Sequence, residues 1–103
     1  MTPILAEVAD PDGRRVVLDD ISWEHILFGH PAMNTAQAAI LATVERPDHR
    51  EPDPVAGRER FYSRDAGPGN WLRVVVDFSQ VPGYVVTSFP QRRAPVKWSN
   101  RKR

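Results

Sequence analysis

WLRVVVDFSQVPGYVVTSF, residues 71–89, decides the fold. WLRVVVDF is rich in valine and aromatic side chains, which suit a pleated, half-buried surface. Leu72, Val74, Val76 and Phe78 line one face, and Trp71, Arg73, Val75 and Asp77 the other. SQVPG is a turn, with Pro82 and Gly83 suited to its geometry. YVVTSF then reads as a further strand. Upstream, ERFYSR alternates too: Arg60, Tyr62 and Arg64 point one way, Phe61 and Ser63 the other. DAGPGN joins it to Trp71 as a turn. Three consecutive strands with short turns predict an antiparallel meander. A last short strand is expected at Val96-Lys97-Trp98.

The first half has a different period. ILAEVA and RRVVL flank DPDG and predict a β-hairpin over residues 4–18. ISWEHILFGHP, residues 21–31, reads as a short helix. Ser22 is its expected N-cap, with Ile21 and Ile26 as a hydrophobic staple. Trp23, Ile26 and Leu27 share its apolar face. Gly29 is expected to stop it in a left-handed conformation, and Pro31 forbids continuation. A second helix is expected from Thr35 to Glu45, capped by Asn34, with Ile40, Leu41 and Val44 as its stripe. RPDHREPDPV, polar and proline-rich, reads as a loop.

The expected class is α+β: short helices packed on one face of a four-stranded antiparallel sheet, with an N-terminal β-hairpin. Residues 1–103 read as a single domain: hairpin in 1–19, core in 20–98, basic tail in 99–103. A chain of this length buries roughly two-thirds of its unfolded surface, enough for one modest core. Apolar residues at 41% and charged residues at 26% fit a globular chain rather than a disordered one.

The net charge is only +1, but its distribution is uneven. Arg92, Arg93, Lys97, Arg101, Lys102 and Arg103 follow Phe89 with no acid among them. This basic end creates a local field that attracts phosphate, or else is a solvated terminus. There is no cysteine, which excludes disulfides, thiolate metal sites and cysteine nucleophiles. The start, MTPILAEVAD, has no signal-peptide pattern, and no apolar run is long enough to span a bilayer. The expected location is the cytoplasm, away from membranes.

No metal site is expected. The histidines, His25, His30 and His49, form no His-x-x-x-His pair, and no carboxylate cluster completes a ligand set. No phosphate-cradling glycine loop and no G-x-S-x-G elbow appear, and no cofactor is expected. What remains is a set of metal-free groups. Arg60, Tyr62 and Arg64 share a strand face, and Arg73 lies on the next strand. Thr87 and Ser88 point to opposite faces of the third, and two histidines precede the sheet. Imidazole is the usual proton shuttle. Guanidinium groups stabilise developing phosphoryl charge through paired hydrogen bonds. Each residue also has a plain reading. His25 serves the helix, His30 caps its carbonyls and His49 is solvated in the loop. Arg60 and Arg64 pair with neighbouring acids, and the tryptophans pack.

The ordered pieces W-x-H-I-(x)3-H-P, R-P-D, R-x-R-F-Y-x-R, L-R-V-V-V, G-Y-V-V-T-S-F and K-W span residues 20 to 98. In that order they resemble the small nucleases of the barnase, EndoU, colicin and RelE-like fold, in the phage and toxin-associated branches. The resemblance implies a helical part on a four-stranded antiparallel sheet and metal-independent ribonuclease activity. It also implies a toxin neutralised by an antitoxin or immunity protein. It places a catalytic histidine at His25, acting as base on the 2′-hydroxyl or as acid on the leaving oxygen. Arg60 would neutralise the phosphoryl charge, and Tyr62 and Thr87 would orient the phosphate. His30, Arg73, Ser88 and Lys97 would lie on the substrate-binding side. A catalytically inactive RNA- or protein-binding module of the same fold is the alternative.

Overall fold

A computed structural model describes residues 3–98. The basic tail expected at 99–103 lies outside the described residues. The elements are β1 (Ile4–Ala9), β2 (Arg15–Asp19), α1 (Asp20–Gly29), a 3-10 turn (Pro31–Thr35) and α2 (Gln37–Glu45). Then follow β3 (His49–Pro52), β4 (Arg58–Arg64), β5 (Trp71–Asp77) and β6 (Gly83–Gln91). The class is α+β as expected, but the sheet has six strands, in the order β1-β2-β6-β5-β4-β3. It is mixed: β2 runs parallel to β6, with Val16 opposite Gly83 and Val17 opposite Tyr84.

The meander of β4, β5 and β6 forms as the alternation predicted, with antiparallel registers throughout. Asp65, at φ 56°, and Gly67, at φ 67°, supply the left-handed steps of the turn between β4 and β5. The two added elements come from either side. The N-terminal hairpin docks β2 on the free edge of β6, so it is part of the sheet rather than an appendage. The expected loop at 46–55 contains β3, which pairs with β4 from His49↔Tyr62 to Pro52↔Glu59. Pro52 is tolerated because it closes an edge strand.

The expected strand at Val96-Lys97-Trp98 is instead a turn, closed by Trp98 N–H on the Pro95 carbonyl (2.9 Å). β5 takes one edge of β6 along its length, and β2 takes the other at Gly83 and Tyr84.

Helix boundaries shift for local reasons. Asp19, not Ser22, caps α1: its carboxylate accepts the Ser22 N–H at 2.8 Å. With the cap three residues earlier, Ile21 is exposed rather than stapled to Ile26. Leu18 and Trp23 occupy the staple positions and both join the core. Gly29 is the last helical residue and not left-handed. His30, extended at φ −143° before Pro31, ends the helix. Residues 31–35 wind as a 3-10 turn, so α2 begins at Gln37 and Asn34 is not its cap.

One face of the sheet carries the core. Val16 and Leu18 of β2, Phe61, Leu72, Val74, Val76 and Val85 meet Ile26, Met33, Ile40 and Val44 from the helical segment. The opposite face is the one that carries the polar members of each alternation.

Candidate functional site

Residues directly opposite across a ladder share a face, so the register assigns the second face. It holds His49 and Glu51 of β3, and Arg60 and Tyr62 of β4. It continues through Arg73 and Val75 of β5 to Thr87 and Phe89 of β6. The β6 members owe their position to a bulge. Val75 faces Thr87 but Val76 faces Val85, which leaves Val86 as an extra residue. The bulge reverses the parity of the strand from there onward. Val85 goes to the core, while Thr87 and Phe89 turn to the side of Arg73.

The centre of this face is a network of charge and planar groups. The Tyr62 hydroxyl donates to Glu51 Oε2 at 2.8 Å. His49 Nε2 lies 3.0 Å from Glu51 Oε1, and because a carboxylate only accepts, Nε2 carries the proton in that bond. Arg60 donates from Nε to Asp53 Oδ1 at 2.8 Å and reaches Glu51 at 3.5 Å. Desolvation acts to raise the Glu51 carboxyl, but the bonds from Tyr62 and His49 outweigh it and hold the group below the usual range. Asp53 is held low in the same way, by the Val55 N–H and Arg60 against its own desolvation. Burial pushes the Tyr62 hydroxyl up, so it remains a donor at neutral pH.

Arg73 is arranged differently. Its guanidinium carbon lies 5.4 Å from the Tyr62 ring and 5.0 Å from the Phe89 ring. Among the described residues it has no carboxylate partner, and its Nε is buried without an acceptor. The Phe89 ring also stacks with His30, centroids 5.5 Å apart and planes 28° from parallel. At the far side, Trp98 packs edge-on against Trp71 (4.9 Å) and His49 (6.4 Å).

The expected site residues therefore divide. Tyr62, Arg73 and Thr87 share one face, which His30 meets through the Phe89 ring; Arg60 shares it too, but its guanidinium is committed to Asp53 and Glu51. His25 is exposed on α1, and no hydrogen bond or ring contact among the described residues ties it to the others. Ser88 is fully buried on the core face, its hydroxyl donating to the Arg73 carbonyl at 2.8 Å; it braces the strand pair. Lys97 is exposed in the C-terminal turn. His49, read from sequence as solvated, is buried instead.

Sequence reasoning missed His49, Glu51 and Phe89. The signal for the first two was His-x-Glu, which places both side chains on one strand face. It was hidden by the prolines around it. No group of three or more His, Asp or Glu among the described residues is placed to hold a metal ion. No helix there is long and apolar enough to cross a membrane. No protein-family model, no curated protein and no solved structure matches the chain.

Proposed function

We propose that the chain is a metal-independent endoribonuclease of the toxin-effector kind. One observation carries this reading: Arg73 is a guanidinium without a carboxylate, held between two rings on the face that also receives His30. Its Nε is buried, so the terminal nitrogens of the half-buried guanidinium are the donors left for a ligand, and a phosphate oxygen is the acceptor they fit best.

In this reading the scissile phosphate lies over β5 and β6. An imidazole removes the proton from the ribose 2′-hydroxyl, and the 2′-oxygen attacks phosphorus. The bond to the 5′-oxygen breaks, and the protonated imidazole returns the proton to that leaving oxygen. The products are a 2′,3′-cyclic phosphate and a 5′-hydroxyl end. Arg73 neutralises the charge that builds on the phosphoryl oxygens. Thr87, opposite Val75 on the same face, orients the phosphate. His30 is the imidazole the geometry brings to this face; His25, on the preceding helix, is the second candidate for one of the two proton transfers. The partners are RNA and, for a toxin, a neutralising antitoxin or immunity protein.

A specific observation favours the alternative of an inactive RNA- or protein-binding module. Two of the expected catalytic groups, Arg60 and Tyr62, are tied to Glu51 and Asp53. Incubating the purified chain with total RNA in excess chelator separates the two readings. Cleavage that survives chelation and is lost in His30→Ala or His25→Ala supports the enzyme and names the imidazole. Intact RNA with a folded chain rejects it. Growth arrest on expression, relieved by a co-expressed neighbouring gene, tests the toxin element.

A further inference from the structure

We infer that Phe89 is the positioning residue of the site, setting both the imidazole of His30 and the guanidinium of Arg73. This rests on the ribonuclease reading and deepens it. Phe89 contacts both groups: the imidazole stacks on its ring at 5.5 Å, and the guanidinium carbon lies 5.0 Å from its centroid. Among the described residues, Phe89 is the one ring that touches the imidazole, and it shares the guanidinium only with the Tyr62 ring. His30 is exposed, and its backbone is fixed at the junction of α1 and the 3-10 turn, its N–H on the Ile26 carbonyl and its carbonyl on the Met33 N–H. Among the described residues, the stack on Phe89 is the imidazole's ring contact. Arg73 has no ion pair among the described residues and touches only two rings, Tyr62 and Phe89.

Tyr62 is itself fixed by Glu51, so one side of Arg73 is set by a hydrogen bond and the other by Phe89. The bulge at Val86 is what brings the Phe89 ring there. Without it, Phe89 would share the core face with Val85 and touch neither group. A bulge that turns one aromatic side chain onto two candidate reacting groups has the form of a device for placing them.

The test uses the full chain carrying Phe89→Leu, and Phe89→Met as a second variant that keeps volume without a ring face. Phe89→Tyr is the conservative control, and circular dichroism with thermal unfolding confirms folding of each. Leu and Met are expected to lower kcat by about 10- to 100-fold, the scale of a small misplacement of reacting groups. KM should change by less than about threefold, and Tyr should restore kcat. Independently of activity, the ¹⁵N-resolved Arg73 Nε–H resonance should lie away from the free-arginine position in the wild type, move towards it in Leu and Met, and stay in Tyr.

Wild-type kcat in a folded Leu variant overturns the inference, as does equal loss in Leu and Tyr. An Arg73 resonance unmoved by Leu or Met also overturns it. If the wild type cleaves no RNA, the ribonuclease reading falls, and the resonance alone then decides the placement of Arg73 by Phe89.

Discussion

If the chain is the proposed ribonuclease, replacing Arg73 by Gln separates catalysis from stability on this sheet face. In the fold, Arg73 contributes two ring contacts, each worth about 0.5–1 kcal/mol where partly exposed. Against them stands a buried Nε without an acceptor, which costs about 1–3 kcal/mol. The two effects nearly cancel, so the folded state should change by less than about 1 kcal/mol. The transition state loses a charged donor, and removal of one such donor costs about 100- to 1000-fold in kcat. Arg60→Gln should behave in the opposite way. Arg60 is bound to Asp53, whose side chain is only 10% exposed. Losing that charged bond costs about 1.5–3 kcal/mol, although Asp53 keeps the Val55 N–H. Urea unfolding and cleavage of a fluorogenic RNA in chelator measure both quantities. The reasoning fails if Arg73→Gln cleaves at the wild-type rate. It also fails if Arg60→Gln loses more activity per folded molecule than Arg73→Gln.

Tyr62→Phe takes one donor from Glu51 and should cost about 1.5–3 kcal/mol in urea unfolding, since that bond meets a charged acceptor. Glu51, Asp53 and Glu59 are all held below their ordinary values of 4.5, 3.8 and 4.5. Their contribution is complete above those values and is lost as pH falls through the lower folded ones. Stability should therefore decline on acidification below about pH 4.5, less steeply in Tyr62→Phe. Arg14→Ala should destabilise by about 1.5–3 kcal/mol in the same assay, because Arg14 joins the buried Asp10 carboxylate to Glu59 across the sheet. Gly83→Ala would set a Cβ 2.8 Å from the Phe78 ring, so it should lower stability by about 1–3 kcal/mol through displacement of Phe78 from Arg14.

The sheet's centre was legible because its sequence obeys one period. Leu72, Val74 and Val76 are buried together, and Arg73 and Tyr62 emerge together, as alternation requires. The edges were not legible. Nothing local in Val16-Val17-Leu18 tells whether that strand ends in a hairpin or also pairs in parallel with a strand 67 residues later; tertiary pairing decides it. His49–Pro52 failed for another reason. Four residues flanked by prolines carry a turn signature, and only the unpaired edge of β4 makes them a strand. The helix starts erred by choice of cap, since Asp19 and Ser22 are both good caps and the end of β2 selects the first.

The site failed to appear in the sequence for a subtler reason, which is one of counting. In YVVTSF an unbroken alternation joins Val85, Thr87 and Phe89, and a buried Val85 would then carry the other two into the core. One extra residue at Val86 separates them. The same uncertainty governs the two arginines. Arg60 and Arg73 both emerge on the open face, and nothing in either strand distinguishes them. The difference lies in their neighbours. Arg60 stands opposite Glu51, with Asp53 beyond, and spends its charge within the fold. Arg73 stands opposite Tyr62 and Phe89, and rings hold a cation in place without neutralising it. A guanidinium so held keeps its charge for a ligand. Which arginine keeps its charge without a carboxylate is thus set by cross-strand register, and on the β6 side by the single residue that shifts it.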